Sequence, residues 1–141
     1  MTAYRTLRRS AVLGAVAFTV ALGTVTAAQA SSYDQWTPDQ LAQACLSHGH
    51  EDSGVYEIPT TQVQEGSSGD CVAYAQYLLV KHGVPNYGQT DIDGQFGPRT
   101  NTAVRYQQQV YTQSNPYGFV CGGVDGQVGP ETWTCLIGWN I

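Results

Sequence analysis

Residues His48-Gly49-His50-Glu51-Asp52 place two imidazoles beside two carboxylates, donor types that ligate transition metals. The set is incomplete as a metal motif. His-x-His serves as half of a zinc site only with a His and an Asp upstream, and no His precedes His48; His50-Glu51 has no His three residues on, so His-Glu-x-x-His is also absent. Asp93 and Asp125 are a second candidate pair, because two carboxylates flanking a bond are what glycosidases use. Their places in two tight turns already account for them. No Gly-x-Ser-x-Gly occurs, and four cysteines that are expected to pair leave no thiol nucleophile. No catalytic residue, metal or cofactor is therefore expected. What remains is recognition: nine Tyr and three Trp against three Phe favour rings with an apolar face and a polar handle.

The elements that must position these residues are written as a repeat. Asp93-Gly94-Gln95-Phe96-Gly97-Pro98-Arg99-Thr100-Asn101-Thr102-Ala103-Val104 returns 32 positions later as Asp125-Gly126-Gln127-Val128-Gly129-Pro130-Glu131-Thr132-Trp133-Thr134-Cys135-Leu136, identical at seven of twelve positions. Asp-Gly supplies a tight turn in which Asp bonds following amides and Gly accepts positive φ. Gly97 and Gly129 precede Pro98 and Pro130, which suit the first helical position, so helices are expected from those prolines through Val110 and Ile137. Phe96 and Val128 plug the space between turn and helix. An earlier helix is expected from the spacing of Val72, Ala75, Leu78 and Leu79, with Asp70 as N-cap, Lys81 and His82 as cations at its C-terminal end, and Gly83 as its stop. Trp133, Leu136 and Ile137 form the inward face of the last helix, Trp133 as core.

The pattern Cys71-Val72-x-x-Ala75-Gln76-x-Leu78-Leu79, then Asp93-Gly94-x-Phe96-Gly97-x-x-Thr100-x-x-Ala103-Val104, then Asp125-Gly126-x-Val128-Gly129-x-x-Thr132-Trp133-x-x-Leu136 resembles the small three-helix peptidoglycan-binding domain (type 1) of exported bacterial cell-wall proteins. The resemblance spans residues 70 to 138. It departs where the family places Phe-Gln after the Ala-Val pair and this chain has Gln107-Gln108, and where Asn115-Pro116-Tyr117-Gly118 reads as an inserted turn. The resemblance implies a non-catalytic module that binds peptidoglycan through glycan or stem peptide. Tyr74 and Tyr77 fall off the apolar stripe of the first domain helix, and Tyr106 and Tyr111 lie on the second. Gln76, Tyr77, Tyr106, Gln107 and Tyr111 are accordingly the candidate ligand contacts, rings for stacking and amides for hydrogen bonds, with Gln108 a further amide. The alternative is a protein-interaction module, an inhibitor or adaptor of an exported wall hydrolase acting in trans. The expected fold is all-α: a three-helix bundle with two Asp-Gly turn and helix units, a short N-terminal helix, and disulfide staples.

Arg5, Arg8 and Arg9 precede an apolar run from Ala11 to Leu22 and a small-residue cleavage signal, Ala28-Gln29-Ala30. This predicts a signal peptide over 1–30, an N-terminal extension over 31–69, and a peptidoglycan-binding-like domain over 70–141. The apolar run is short of the ~20 residues of a membrane span, so no stable membrane insertion is expected after cleavage and the mature chain is expected outside the cell. Residues 31–141 carry Lys81, Arg99 and Arg105 against eleven acids, and 3 minus 11 is −8. So acidic a chain has no footprint for nucleic acid. In the extension, Thr37 and Pro38 open a short helix burying Leu41, Ala44 and Cys45. Residues 49–69 are polar and read as a loop or linker, with a short extended stretch over 55–58. Four cysteines allow three pairings. Placing Cys135 off the apolar face of its helix, near a strand-like segment around Cys121, favours Cys121 with Cys135 and Cys45 with Cys71.

Overall fold

The computed structural model describes residues 33–115, 118 and 120–139. The expected leader lies outside them, as do Pro116 and Tyr117 of the inserted turn. Helices open where local chemistry places them. In α1 (Pro38–Leu46), the Gln40 backbone N–H donates to Thr37 Oγ1 at 3.3 Å while the Thr37 N–H donates to Gln40 Oε1 at 2.8 Å, a reciprocal cap with Pro38 in the first turn. Gly97 and Gly129 hold extended backbone just before Pro98 and Pro130, and α3 (Pro98–Gln113) and α4 (Pro130–Gly138) begin at those prolines. In α2 (Asp70–Lys81), Gly69 takes the N-cap position expected for Asp70. The Asp70 carboxylate bonds sideways instead, accepting from Tyr33 Oη at 2.8 Å and lying 3.3 Å from His48 Nε2.

The all-α, three-helix expectation is corrected: the described residues form four α-helices and a two-stranded antiparallel sheet. The difference comes from residues 49–69, expected as a loop or linker with one short extended stretch over 55–58. There β1 (His50–Asp52) pairs with β2 (Glu57–Pro59), Glu51 opposite Ile58, and β2 buries Ile58 and Pro59. The chain then crosses both Asp-Gly turns as a strap. Val63 exchanges two backbone hydrogen bonds with Val128 (3.1 and 2.8 Å), Phe96 N–H donates to Ser67 O at 2.9 Å, and Gly69 N–H donates to Gly94 O at 2.9 Å. Trp133 Nε1 donates to Thr61 O at 2.8 Å. Extension and domain share one core, with Cys45 bonded to Cys71 across α1 and α2 and Cys121 bonded to Cys135.

That core is built on Trp133, Leu79, Leu136, Val72 and Val104. Cys135 is buried with them, and Ile137 only partly, so the expected face of α4 is rotated. Tyr74, expected off the apolar stripe, is buried and stacks on Trp133 with ring centroids 5.7 Å apart. No helix among the described residues is long and apolar enough to cross a membrane.

The end of α2 revises the role of His82. Gly83 takes φ +70 as the helix stop, but the His82 imidazole is half-buried and Nε2 lies 2.9 Å from the Leu136 carbonyl oxygen, so Nε2 carries the hydrogen and donates. Burial holds its pKa below the ordinary value, with Lys81 beside it adding to the shift. His82 is thus a neutral tie between α2 and α4. The unfolded chain takes up a proton near pH ~6.5 and the folded chain only at lower pH, so stability is full above that value and falls as pH drops through it. Urea midpoints should fall between pH 7 and pH 5, and His82→Gln, which keeps a donor, should flatten that slope. An unaltered slope in the variant would remove His82 as its source.

Candidate functional site

Each Asp-Gly turn is clamped by one buried glutamine from the preceding helix. Gln76 is 0% exposed. Its Nε2 donates toward Asp93 Oδ1 (2.9 Å), Gln95 O (3.0 Å) and Thr100 Oγ1 (3.1 Å), while its Oε1 accepts from the backbone N–H groups of Asp93 (3.1 Å) and Gly94 (2.8 Å). Gln108 repeats this one helix later. It donates toward Asp125 Oδ1 (2.9 Å), Gln127 O (2.9 Å) and Thr132 Oγ1 (3.1 Å), and accepts from the N–H groups of Asp125 (3.1 Å) and Gly126 (2.9 Å). Gly94 and Gly126 sit at φ +70 and +77, as the turns require.

These clamps reassign most of the predicted contacts. Gln76, Gln107 and Tyr111 are buried and cannot face a ligand without unfolding their surroundings, and Gln108 is committed to its turn. Asp93 and Asp125 each accept from a glutamine amide and from the N–H two residues on (2.8 and 2.9 Å), so their carboxylates serve the turns. Tyr77 is half-buried beside a shallow hollow of ≈ 170 Å³ that also involves Asp39 and Lys81. Tyr106 remains open to solvent, at 44% exposure. The two histidines of the acidic loop point to different carboxylates, His48 to Asp70 and His50 to Glu57 at 3.4 Å across the hairpin.

Where the copies diverge, a groove opens. Thr100 lies 3.0 Å from Tyr87 Oη, whereas its counterpart Thr132 donates to Cys121 O at 3.3 Å; Ala103 corresponds to the disulfide-bonded Cys135. Beside the first clamp lies a hollow of ≈ 450 Å³, walled by the 84–87 loop and by Pro98, Arg99, Thr102, Ala103 and Tyr106 of α3. Its apolar lining comes from Val84, Pro85, Pro98 and Ala103. Tyr87 is pushed up to about 12 by burial and stays protonated, joining this wall to the Gln76 clamp through Thr100. Arg99 supplies a fork of bonds to Asp91, Nε to Oδ1 at 2.8 Å and a terminal nitrogen to Oδ2 at 3.0 Å, and also donates to Asn86 O at 2.9 Å. That bonding holds the Asp91 carboxyl below its ordinary pKa, so the pair is ionised and internally neutralised.

Sequence reasoning missed Tyr87, Pro85 and Asn86 as groove residues. No protein-family model, curated protein or solved structure matches this chain.

Proposed function

We propose that this chain is an exported, non-catalytic module that binds bacterial cell-wall peptidoglycan in the groove beside its first turn. The observation that carries the reading is the unequal fate of two equivalent tyrosines. Tyr74 of α2 and Tyr106 of α3 stand 32 positions apart in the repeat; Trp133 covers Tyr74, while Tyr106 lies exposed at the edge of an apolar hollow. An exposed ring beside an apolar lining suits the flat face of a sugar. The motif pattern over residues 70 to 138 supports the same assignment. Two disulfides accord with an oxidising compartment, and the leader-like residues 1–30 belong to this reading.

The non-catalytic part rests on the commitment of Asp93 and Asp125 to their turns. On purified insoluble peptidoglycan at moderate salt, the oxidised protein is expected to be retained without releasing soluble muropeptides. Release would overturn the non-catalytic assignment. Absence of retention would favour the interaction module for an exported hydrolase.

A further inference from the structure

We infer that the groove takes the neutral N-acetylated glycan strand of the wall, with one pyranose face stacked on Tyr106, and not the charged stem peptides. This deepens the wall-binding reading and rests on it. The first argument is charge. Stem peptides end in carboxylates, and a site built for them needs a cation with unspent donors and a favourable surrounding field. The groove's cation, Arg99, is already forked onto Asp91. The surroundings are adverse as well, since residues 31–141 carry a net charge of 3 minus 11, or −8. A neutral glycan meets neither obstacle.

The second argument is shape and handle chemistry. Within this fold a tyrosine at the repeat position is stacked: Tyr74 and Trp133 lie with ring planes 19° apart. Tyr106 has no such ring against it among the described residues. Pro85 and Pro98 extend the apolar surface, and the exposed Asn86 offers an amide of the kind that pairs with an acetamido group. Thr102 is less available, since its hydroxyl donates to Pro98 O at 2.9 Å. Sugar stacking thus falls chiefly on Tyr106, with hydrogen bonding from the 84–87 loop.

The test compares three probes with the oxidised full-length chain: intact sacculi, immobilised glycan strands stripped of stem peptides by an amidase and with the lactyl carboxylates so exposed capped as neutral methylamides, and free stem peptides as soluble competitor. Expected results are comparable retention on intact and stripped glycan, no competition by free peptides, and retention about tenfold weaker for Tyr106→Ala. Tyr106→Phe should bind nearly as the parent does, because the stacking face remains. Val124→Ala, an exposed apolar residue outside the groove, serves as the control. Retention on intact sacculi but not on stripped strands, or displacement by free peptides, overturns the glycan inference and leaves wall binding standing. Failure on both solid phases overturns wall binding itself. Undiminished retention of folded Tyr106→Ala overturns the groove assignment.

Discussion

Replacing Gln108 with Leu is expected to lower the unfolding free energy by about 3–5 kcal/mol, a loss set by polar groups left without partners and not by lost volume. Leu nearly fills the same space. It leaves the Asp125 and Gly126 amides and the Gln127 carbonyl without their glutamine partner, while the Thr132 hydroxyl keeps only its bond to Cys121 O. Gln76→Leu should cost a similar amount at the first turn and also release Thr100, and through it Tyr87 in the groove wall. Gln108→Glu gives a sharper reading. Its carboxylate still accepts from the two amides but faces Asp125 Oδ1 and the Gln127 carbonyl, where the parent donates. Burial beside another carboxylate raises its pKa, so the proton it binds in the folded state makes this variant recover stability, relative to the parent, as pH falls through that raised value toward the unfolded value of about 4.3. Urea denaturation across pH measures both effects. A cost under about 1 kcal/mol for Gln108→Leu would mean that the turns hold without their clamps.

The clamps are legible in the residues, although the same glutamines also suit a ligand contact. The repeat as read from the sequence begins at Asp93 and Asp125, where identity is dense. Extended one helix backward at the same 32-residue offset, it aligns Gln76 with Gln108 and Tyr74 with Tyr106. A glutamine that bonds its own turn must recur in each copy, whereas a ligand contact has no such need. Recurrence at fixed distance from Asp-Gly was therefore a sign of structure. Helix starts at Pro38, Pro98 and Pro130 were readable because capping is local chemistry. The strap over residues 61–69 was not, because backbone groups make its bonds and composition does not record them. Its bridges, Val63 with Val128 and Ser68 with Gln95, are single pairs and leave no period-two trace. The groove was hidden for a related reason: its walls come from a loop and a helix start whose proximity follows from the Gln76 clamp and the Arg99–Asp91 fork.

Removing both disulfides by Cys45→Ala, Cys71→Ala, Cys121→Ala and Cys135→Ala is expected to leave a chain with little folded population at 37 °C. Cys45–Cys71 spans 26 residues and Cys121–Cys135 spans 14, which in the chain-entropy picture correspond to about 3.5 and about 3 kcal/mol. Their sum, about 6.5 kcal/mol, matches or exceeds the stability of many domains of this size. The two should fail differently when removed singly. Loss of Cys45–Cys71 leaves α1 held by Leu41 in the core and by two flanking side-chain bonds to Asp70, part-buried from Tyr33 and exposed from His48, so α1 and the hairpin should become the first region to exchange amide hydrogens. The groove, built on α3 and the 84–87 loop, should survive that loss. Loss of Cys121–Cys135 removes a bond beside Thr132 and its partner Cys121 O, within the second clamp, so its cost should not add simply to that of Gln108→Leu. Urea unfolding of the two double-alanine variants, with hydrogen exchange on each, separates these outcomes. Protection of α1 undiminished without Cys45–Cys71 would show that side-chain ties and core packing suffice to hold it.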